Sequence, residues 1–224
     1  MRKPRFLQKN RTIEDIIRYM EEKYEDTFTY RNSDTESYLS GETEIWLRAV
    51  KLPGQLVLVL RDKNTGDLVD NYLGLLLREE IEEEVRRAAV QVYGDCLVVC
   101  ETGMVRVFLD MRSTDGRAFL SNPGTKSRAE IITRNSPERK EEDLEGFAEV
   151  LRAERFNLGF SVTYIDPAVF PEVTAKNYND YADPAKPCML CRGFFKFRYP
   201  ELSHIDWTDE HLRFANSVWR RGQK

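Results

Sequence analysis

Histidine is scarce in this chain. His204 and His211 are the two present among 224 residues, both close to the C-terminus, so acid–base or metal chemistry that relies on imidazole has little material. No Gly-x-Ser-x-Gly nucleophile elbow occurs, and Gly124-Thr125-Lys126-Ser127 lacks the Gly-Lys pair of a phosphate loop. Four cysteines are too few for a disulfide framework in a chain of this size. Cys96 and Cys100 would stand about 13 Å apart in an extended strand, beyond bonding reach, and read as buried packing thiols. Such usage fits a reducing compartment, so a cytoplasmic location is expected. No run approaches the ~20 apolar residues of a membrane span, and the chain reads as soluble. Charge of either sign is not in excess: 34 basic against 38 acidic side chains give a net charge of −4. There is thus no global pull toward nucleic acid or an anionic membrane, and binding of that kind would need a local patch. No nucleic-acid partner is expected. Met1 to Arg11 is locally basic, and Phe6 and Leu7 are too little apolar material for a signal peptide; residues 1–11 read as a flexible arm.

What is there is architecture. The length allows one large domain or two small ones, with a core that needs no disulfides. Leu56-Val57-Leu58-Val59-Leu60 is the most continuous β-type run. Beyond the turn Asp62-Lys63-Asn64-Thr65-Gly66, Leu73, Leu77, Ile81, Val85, Ala88 and Val92 mark one stripe of a helix that should pack on that strand. Thr12 can cap a first helix carrying Ile13, Ile16, Ile17 and Met20. Phe28 to Tyr30 and Glu44 to Val50 read as strands, as do Leu97 to Val99 and Val105 to Leu109 about a turn at Gly103. Residues 113–127, rich in Ser, Asn, Gly and Pro, form the best internal boundary. Past it, a strand at Glu130 to Thr133, a helix opened by Ser136-Pro137 and a strand at Phe160 to Ile165 argue for a βαβ unit with parallel strands. The expected fold is α+β. A mainly antiparallel, mixed sheet is covered by about four helices near 12–24, 71–93, 137–155 and 208–221, in subdomains 12–112 and 128–224 or one continuous domain.

Tyr19 to Tyr24, Val69-Asp70-Asn71-Tyr72-Leu73 and the run from Asn135-Ser136-Pro137 through Gly159 to Asp166 resemble uncharacterised bacterial proteins of unassigned function. The resemblance covers much of the chain. Its motifs are structural, and no catalytic residue carries over from it.

Several constellations invite a chemical reading. Cys188 and Cys191 with His204 and His211 make a set of two thiolates and two imidazoles, a common tetrahedral zinc arrangement. Six residues separate the histidines, however, and seven positions along a helix rise about 10.5 Å, which is too far for one ion unless the chain bends. A thioredoxin-type role for the same cysteines fails because Pro187 leads into a strand rather than a helix N-terminus. Arg192 to Tyr199 partly imitates an RNA-recognition octapeptide. Phe195 and Lys196 occupy the wrong places in it, and Phe195, Phe197 and Tyr199 read as the inner face of an ordinary half-buried strand. Asp62 to Asp67 misses the glycine and glutamate positions of a calcium loop and reads as a hairpin turn. The acidic run Glu79 to Glu84 reads as an exposed helix face paired with Arg86 and Arg87.

The remaining candidate is the Pro-interrupted segment Ala168 to Pro187, since long loops in compact domains are uncommon unless functional or disordered. Its aromatics Tyr178 and Tyr181, rimmed by Lys176 and Lys186, could anchor a partner. The expectation is a non-enzymatic binding or interaction protein of unknown function without a cofactor, its partner a protein rather than a small molecule. The alternative is a small zinc-binding or thiol-dependent enzyme using Cys188, Cys191, His204 and His211.

Overall fold

The computed structural model describes residues 12–34, 41–105, 109, 113–183 and 185–208. The expected arm at 1–11, the C-terminal helix past Thr208 and His211 lie outside the described residues, as does the side chain of His204. The chain is α+β and divides into two compact units, Met1–Arg78 with Thr102–Asp115 and Glu79–Glu101 with Gly116–Lys224. Among the described residues no helix is long and apolar enough to cross a membrane.

The first unit opens with helix α1, Ile13–Tyr24. Thr12 and Asp15 form a capping box: the Thr12 hydroxyl accepts from the Asp15 N–H, and the Asp15 carboxylate accepts from the Thr12 N–H, each at 3.2 Å. The Thr12 N–H, and then the Thr12 hydroxyl, both donating to the Asp15 carboxylate, hold its carboxyl below the ordinary pKa. Four strands follow in order and pair antiparallel: β1 Phe28–Asp34, β2 Glu42–Ala49, β3 Val57–Asp62 and β4 Leu68–Asp70. Ile45, Leu47 and Ala49 alternate inward along β2. Gly66, at φ 75, closes the β3–β4 hairpin where the Asp62 carboxylate accepts from the N–H groups of Asn64 and Thr65.

Two expectations are corrected here. The helix drawn over 71–93 is broken at Leu77 into α2, Tyr72–Leu76, and α3, Arg78–Tyr93. α2 lies by β3, whereas α3 belongs to the second unit, where the Tyr93 ring meets Phe147 edge-on at 5.6 Å. The continuous apolar stripe is therefore divided between two cores. Gly103 is no turn but lies within one strand, β5, Cys96–Val105, whose Val105 pairs with Asp70. A Cβ on Gly74 of α2 would stand 2.3 Å from the Gly103 carbonyl oxygen, so this contact requires glycine. Cys100 is buried and Cys96 half-buried; burial first, then the Asp95 charge, pushes the Cys96 thiol up to about 11.

In the second unit the expected βαβ is present. β6, Thr125–Thr133, runs parallel to β7, Leu158–Ile165, with α5, Lys140–Glu154, between them. Ser136 caps one 3-10 turn, Pro137–Arg139, before α5 begins. β8, Met189–Arg198, and β9, Glu201–Thr208, follow antiparallel. Residues 113–127 are not all loop: α4, Gly116–Ser121, buries Phe119 and Leu120 completely. With α4 and the four-residue α6, Tyr178–Tyr181, there are six α-helices among the described residues, against about four expected. The core carries a run of ring contacts from Phe147 to Phe160 at 5.0 Å, Phe160 to Phe195 at 5.2 Å and Phe195 to Trp207 at 4.9 Å. Tyr199, expected on that inner face, is 46% exposed, because β8 ends at Arg198 and Pro200 turns the chain.

The first unit is centred on a buried ion pair. Asp70, 0% exposed, accepts from Lys23 Nζ at 2.7 Å, the Tyr24 hydroxyl at 2.6 Å and the Tyr72 N–H at 3.1 Å. The Lys23 side chain is 1% exposed. Burial and the Asp70 charge push the Tyr24 hydroxyl far above its ordinary pKa, so it remains a donor. Removing one partner strands the other in a dry site. Asp70→Ala is expected to cost about 3–5 kcal/mol, read as a lowered urea midpoint at unchanged slope. Glu83→Ala, which breaks the exposed pair with Arg86, should change stability by no more than about 0.5 kcal/mol. A similar small loss for both variants would show that the Asp70 network does not hold this unit.

A candidate anion-binding face

The sheet of the second unit has a second face, and its composition follows from strand alternation. Along β8, Met189, Cys191, Gly193, Phe195 and Phe197 are buried, which turns Leu190, Arg192, Phe194, Lys196 and Arg198 to the opposite side. The register of β6, β7 and β8 sets cross-strand rows there. Arg128, Gly159 and Lys196 form one row, Glu130, Ser161 and Phe194 the next, and Ile132, Thr163 and Arg192 the third. Lys126 and Arg128 are the outward residues of the first half of β6. Cations from two non-adjacent strands therefore flank a middle strand that carries no side chain at Gly159.

The upper part of this face is closed by its own ion pairs. Glu130, 2% exposed, accepts from Arg192 Nη2 at 2.7 Å and from the Ser161 hydroxyl, and Arg128 Nη2 lies 3.6 Å away. Arg192 also donates to the Ala182 carbonyl at 3.1 Å, tying in the segment that carries α6. Its guanidinium carbon stands 4.7 Å from the centre of the Phe194 ring, and that of Arg128 stands 5.9 Å away. The lower part is open. A cleft of about 370 Å³ is lined by Lys126, Arg128, Gly159, Phe194, Lys196 and Arg198. Arg198 donates to the neutral Thr125 carbonyl at 3.1 Å, and burial pulls its guanidinium below its ordinary pKa. Lys196 is exposed and makes no ion pair with any described residue. Clustered positive charge of this kind attracts an anionic ligand.

Packing does not require glycine at position 159. A Cβ there would meet the Ser127 and Phe195 carbonyl oxygens at 3.5 and 3.9 Å, ordinary contact distances, and its backbone is not left-handed. A Cβ at Gly193 would instead lie 2.4 Å from the Phe195 ring and 2.5 Å from Trp207. Glycine inside a strand weakens it, and one that packing does not require often marks the close approach of a ligand or another backbone.

The residues singled out in the sequence fall elsewhere. Cys188 is half-buried ahead of β8, whereas Cys191 is buried within β8 opposite Tyr164 of β7. His204 has its backbone in β9 opposite Phe195. Among the described residues no group of three or more His, Cys, Asp or Glu is placed to hold a metal. Tyr178 and Tyr181 are both half-buried, with Lys176 and Lys186 exposed beside them. Ala168 to Pro187 is a loop braced by a 3-10 turn at Phe170–Glu172, by α6, and by Asn177, whose side chain accepts from the Thr174 N–H and donates to the Glu172 carbonyl. The alternation of Lys196 and Arg198 with Phe195 and Phe197 was visible in the sequence. That Lys126, Arg128 and Gly159 join it was not, because it depends on which strands pair and in what register.

No family model matches the chain, and no curated protein matches it. A solved structure of a DUF5037 family protein from Ruminococcus gnavus ATCC 29149 is similar over 90% of this chain and 96% of that one, with 14% identity and a TM-score of 0.39. That family is uncharacterised, and no function comes with the likeness.

Two outcomes are expected from this geometry. Gly159→Ala should leave stability within about 1 kcal/mol, with a stabilising sign, while Gly193→Ala should lose about 1–3 kcal/mol by overpacking; equal losses in thermal unfolding would make Gly159 a packing glycine. Protein purified without a polyhistidine tag should carry no stoichiometric zinc by elemental analysis. One zinc per chain, lost on Cys188→Ser, would establish the cysteine–histidine alternative.

Proposed function

We propose that this chain is a non-enzymatic binding module whose protein partner lays an extended acidic segment across the open face of the β6–β7–β8 sheet. The observation that carries the reading is the set Lys126, Arg128, Lys196 and Arg198 arranged around the unfilled position of Gly159. The dimensions favour a chain segment over a small molecule. From Lys196 to Arg192 the face runs four strand residues, about 13 Å, and Arg192 hydrogen-bonds to Ala182, next to Tyr181. Tyr178, Tyr181, Lys176 and Lys186 thus continue the surface beyond the cleft as partner contacts. Glu130, the carboxylate on this face, is buried and held by Ser161 and Arg192, a positioning role rather than that of a base within reach of a substrate. The reading needs no cofactor. It places the protein in the cytoplasm, where the four free thiols stay reduced.

A fluorescein-labelled heptaglutamate peptide provides the test. Its anisotropy should rise on titration with the protein and fall back as salt is added, since exposed charge pairs are screened over about 8–10 Å at 0.1–0.15 M. The double variant Lys196→Glu, Arg198→Glu should weaken binding by about tenfold or more, and Tyr181→Ala by a smaller factor. Unchanged affinity in the double variant, or no binding by the native chain at low salt, would overturn the reading.

A further inference from the structure

Resting on that docking reading, we propose that the cleft over Gly159 is a subsite for a phosphoryl group carried by a phosphorylated side chain of the acidic segment. Arg192 is matched by Glu130 at 2.7 Å, and Arg128 is shared between Glu130 at 3.6 Å and Glu101 at 3.9 Å. Lys196 and Arg198, at the other side of the cleft, have no ion-pair partner among the described residues. Glu201, the register partner of Arg198 on β9, is exposed. Among the described residues two cations at one cleft are thus without an ion pair, and a phosphoryl group brings a charge of about −1.5 to −2 with three acceptor oxygens. A carboxylate brings one charge and two oxygens.

At about 370 Å³ the cleft exceeds what one carboxylate fills and stands at the lower end of ligand pockets. Because position 159 has no side chain, an entering group can descend to the level of the sheet between Arg128 on one strand and Lys196 on another. Guanidinium groups match phosphoryl oxygens by paired N–H donors, and the cleft offers two, with ammonium groups of Lys126 and Lys196 beside them. Burial lowers the pKa of the Arg198 guanidinium, which remains a cation. A phosphodiester of single-stranded nucleic acid is less well served. Base stacking would use Phe194, the aromatic side chain that lines the cleft from this face, and its ring is already in contact with the Arg192 guanidinium.

The test compares three labelled peptides of matched length by anisotropy at one pH and salt concentration: Glu-Glu-pSer-Glu-Glu, Glu-Glu-Glu-Glu-Glu and Glu-Glu-Ser-Glu-Glu. The native chain should bind the phosphopeptide about tenfold more tightly than the all-glutamate peptide, with the serine peptide weakest. Gly159→Leu, which fills the cleft, should weaken the phosphopeptide by a larger factor than the all-glutamate peptide, so that the phosphopeptide advantage is lost. Lys196→Gln should reduce the advantage without a bulky change, which keeps the test decisive should the leucine variant unfold. Equal affinity for the phosphorylated and all-glutamate peptides would overturn the phosphoryl subsite and leave the docking reading standing. Failure of all three peptides to bind would overturn both. Tighter binding of a labelled oligothymidylate that displaces the phosphopeptide would assign the face to nucleic acid and overturn the proposal.

Discussion

The parallel pairing of β6 with β7 is the constraint on which the proposed face depends. Parallel neighbours cannot be joined by a tight turn, so the chain must cross over one side of the sheet, here through α5. The crossover supplies Leu144, Phe147, Ala148 and Leu151 to one side and thereby decides which face of every strand must be apolar. Ala129, Ile131, Phe160, Val162, Phe195 and Phe197 follow on that side. The other side is left to Lys126, Arg128, Arg192, Lys196 and Arg198. Because strand side chains alternate with a period of two, a slip of one residue in β8 would send these cations into the aromatic core. The core and the cationic face are specified by the same register.

The glycines separate structural need from spare space. Gly74, Gly116 and Gly193 each stand where a Cβ would lie under 3 Å from neighbouring backbone or rings, so the fold demands them. Gly116 closes α4 onto Glu80 and Ile81 of α3, with the Glu80 carboxylate accepting from its N–H. Gly159 answers no such demand. Its value lies in what it leaves uncovered, the level floor between two cationic strands.

Two buried carboxylates show how differently a charge can be used. Asp70 is enclosed by Lys23, Tyr24 and the Tyr72 N–H, and it joins α1, β4 and the start of α2 within one network. A buried pair of this kind contributes little over an apolar replacement, yet its donors must all be in place, which ties those elements to one arrangement. Glu130 sits at the boundary between the closed and open parts of the β6–β7–β8 face. It engages Arg192 and draws on Arg128, while Lys196 and Arg198 at the cleft below make no ion pair with a described residue.

Much of the fold was legible in the chain, because it depends on local pattern. The capping box at Thr12 and Asp15, the hairpin turn at Gly66 and the strand–helix–strand order around α5 all follow from residues close in sequence, and each formed where the spacing placed it. The sequence also showed inward Phe195 and Phe197 alternating with Lys196 and Arg198. It did not show where a periodic stripe is interrupted: Leu73 to Val92 reads as one helix, yet two cores divide it at Leu77. Nor did it show that Gly103 continues a strand, since a glycine in isolation signals a turn and only the close approach of Gly74 explains it. The candidate face belonged wholly to tertiary structure. Lys126, Gly159 and Lys196 are separated by more than thirty residues at each step, and their meeting depends on strand pairing and register, which local propensity does not encode.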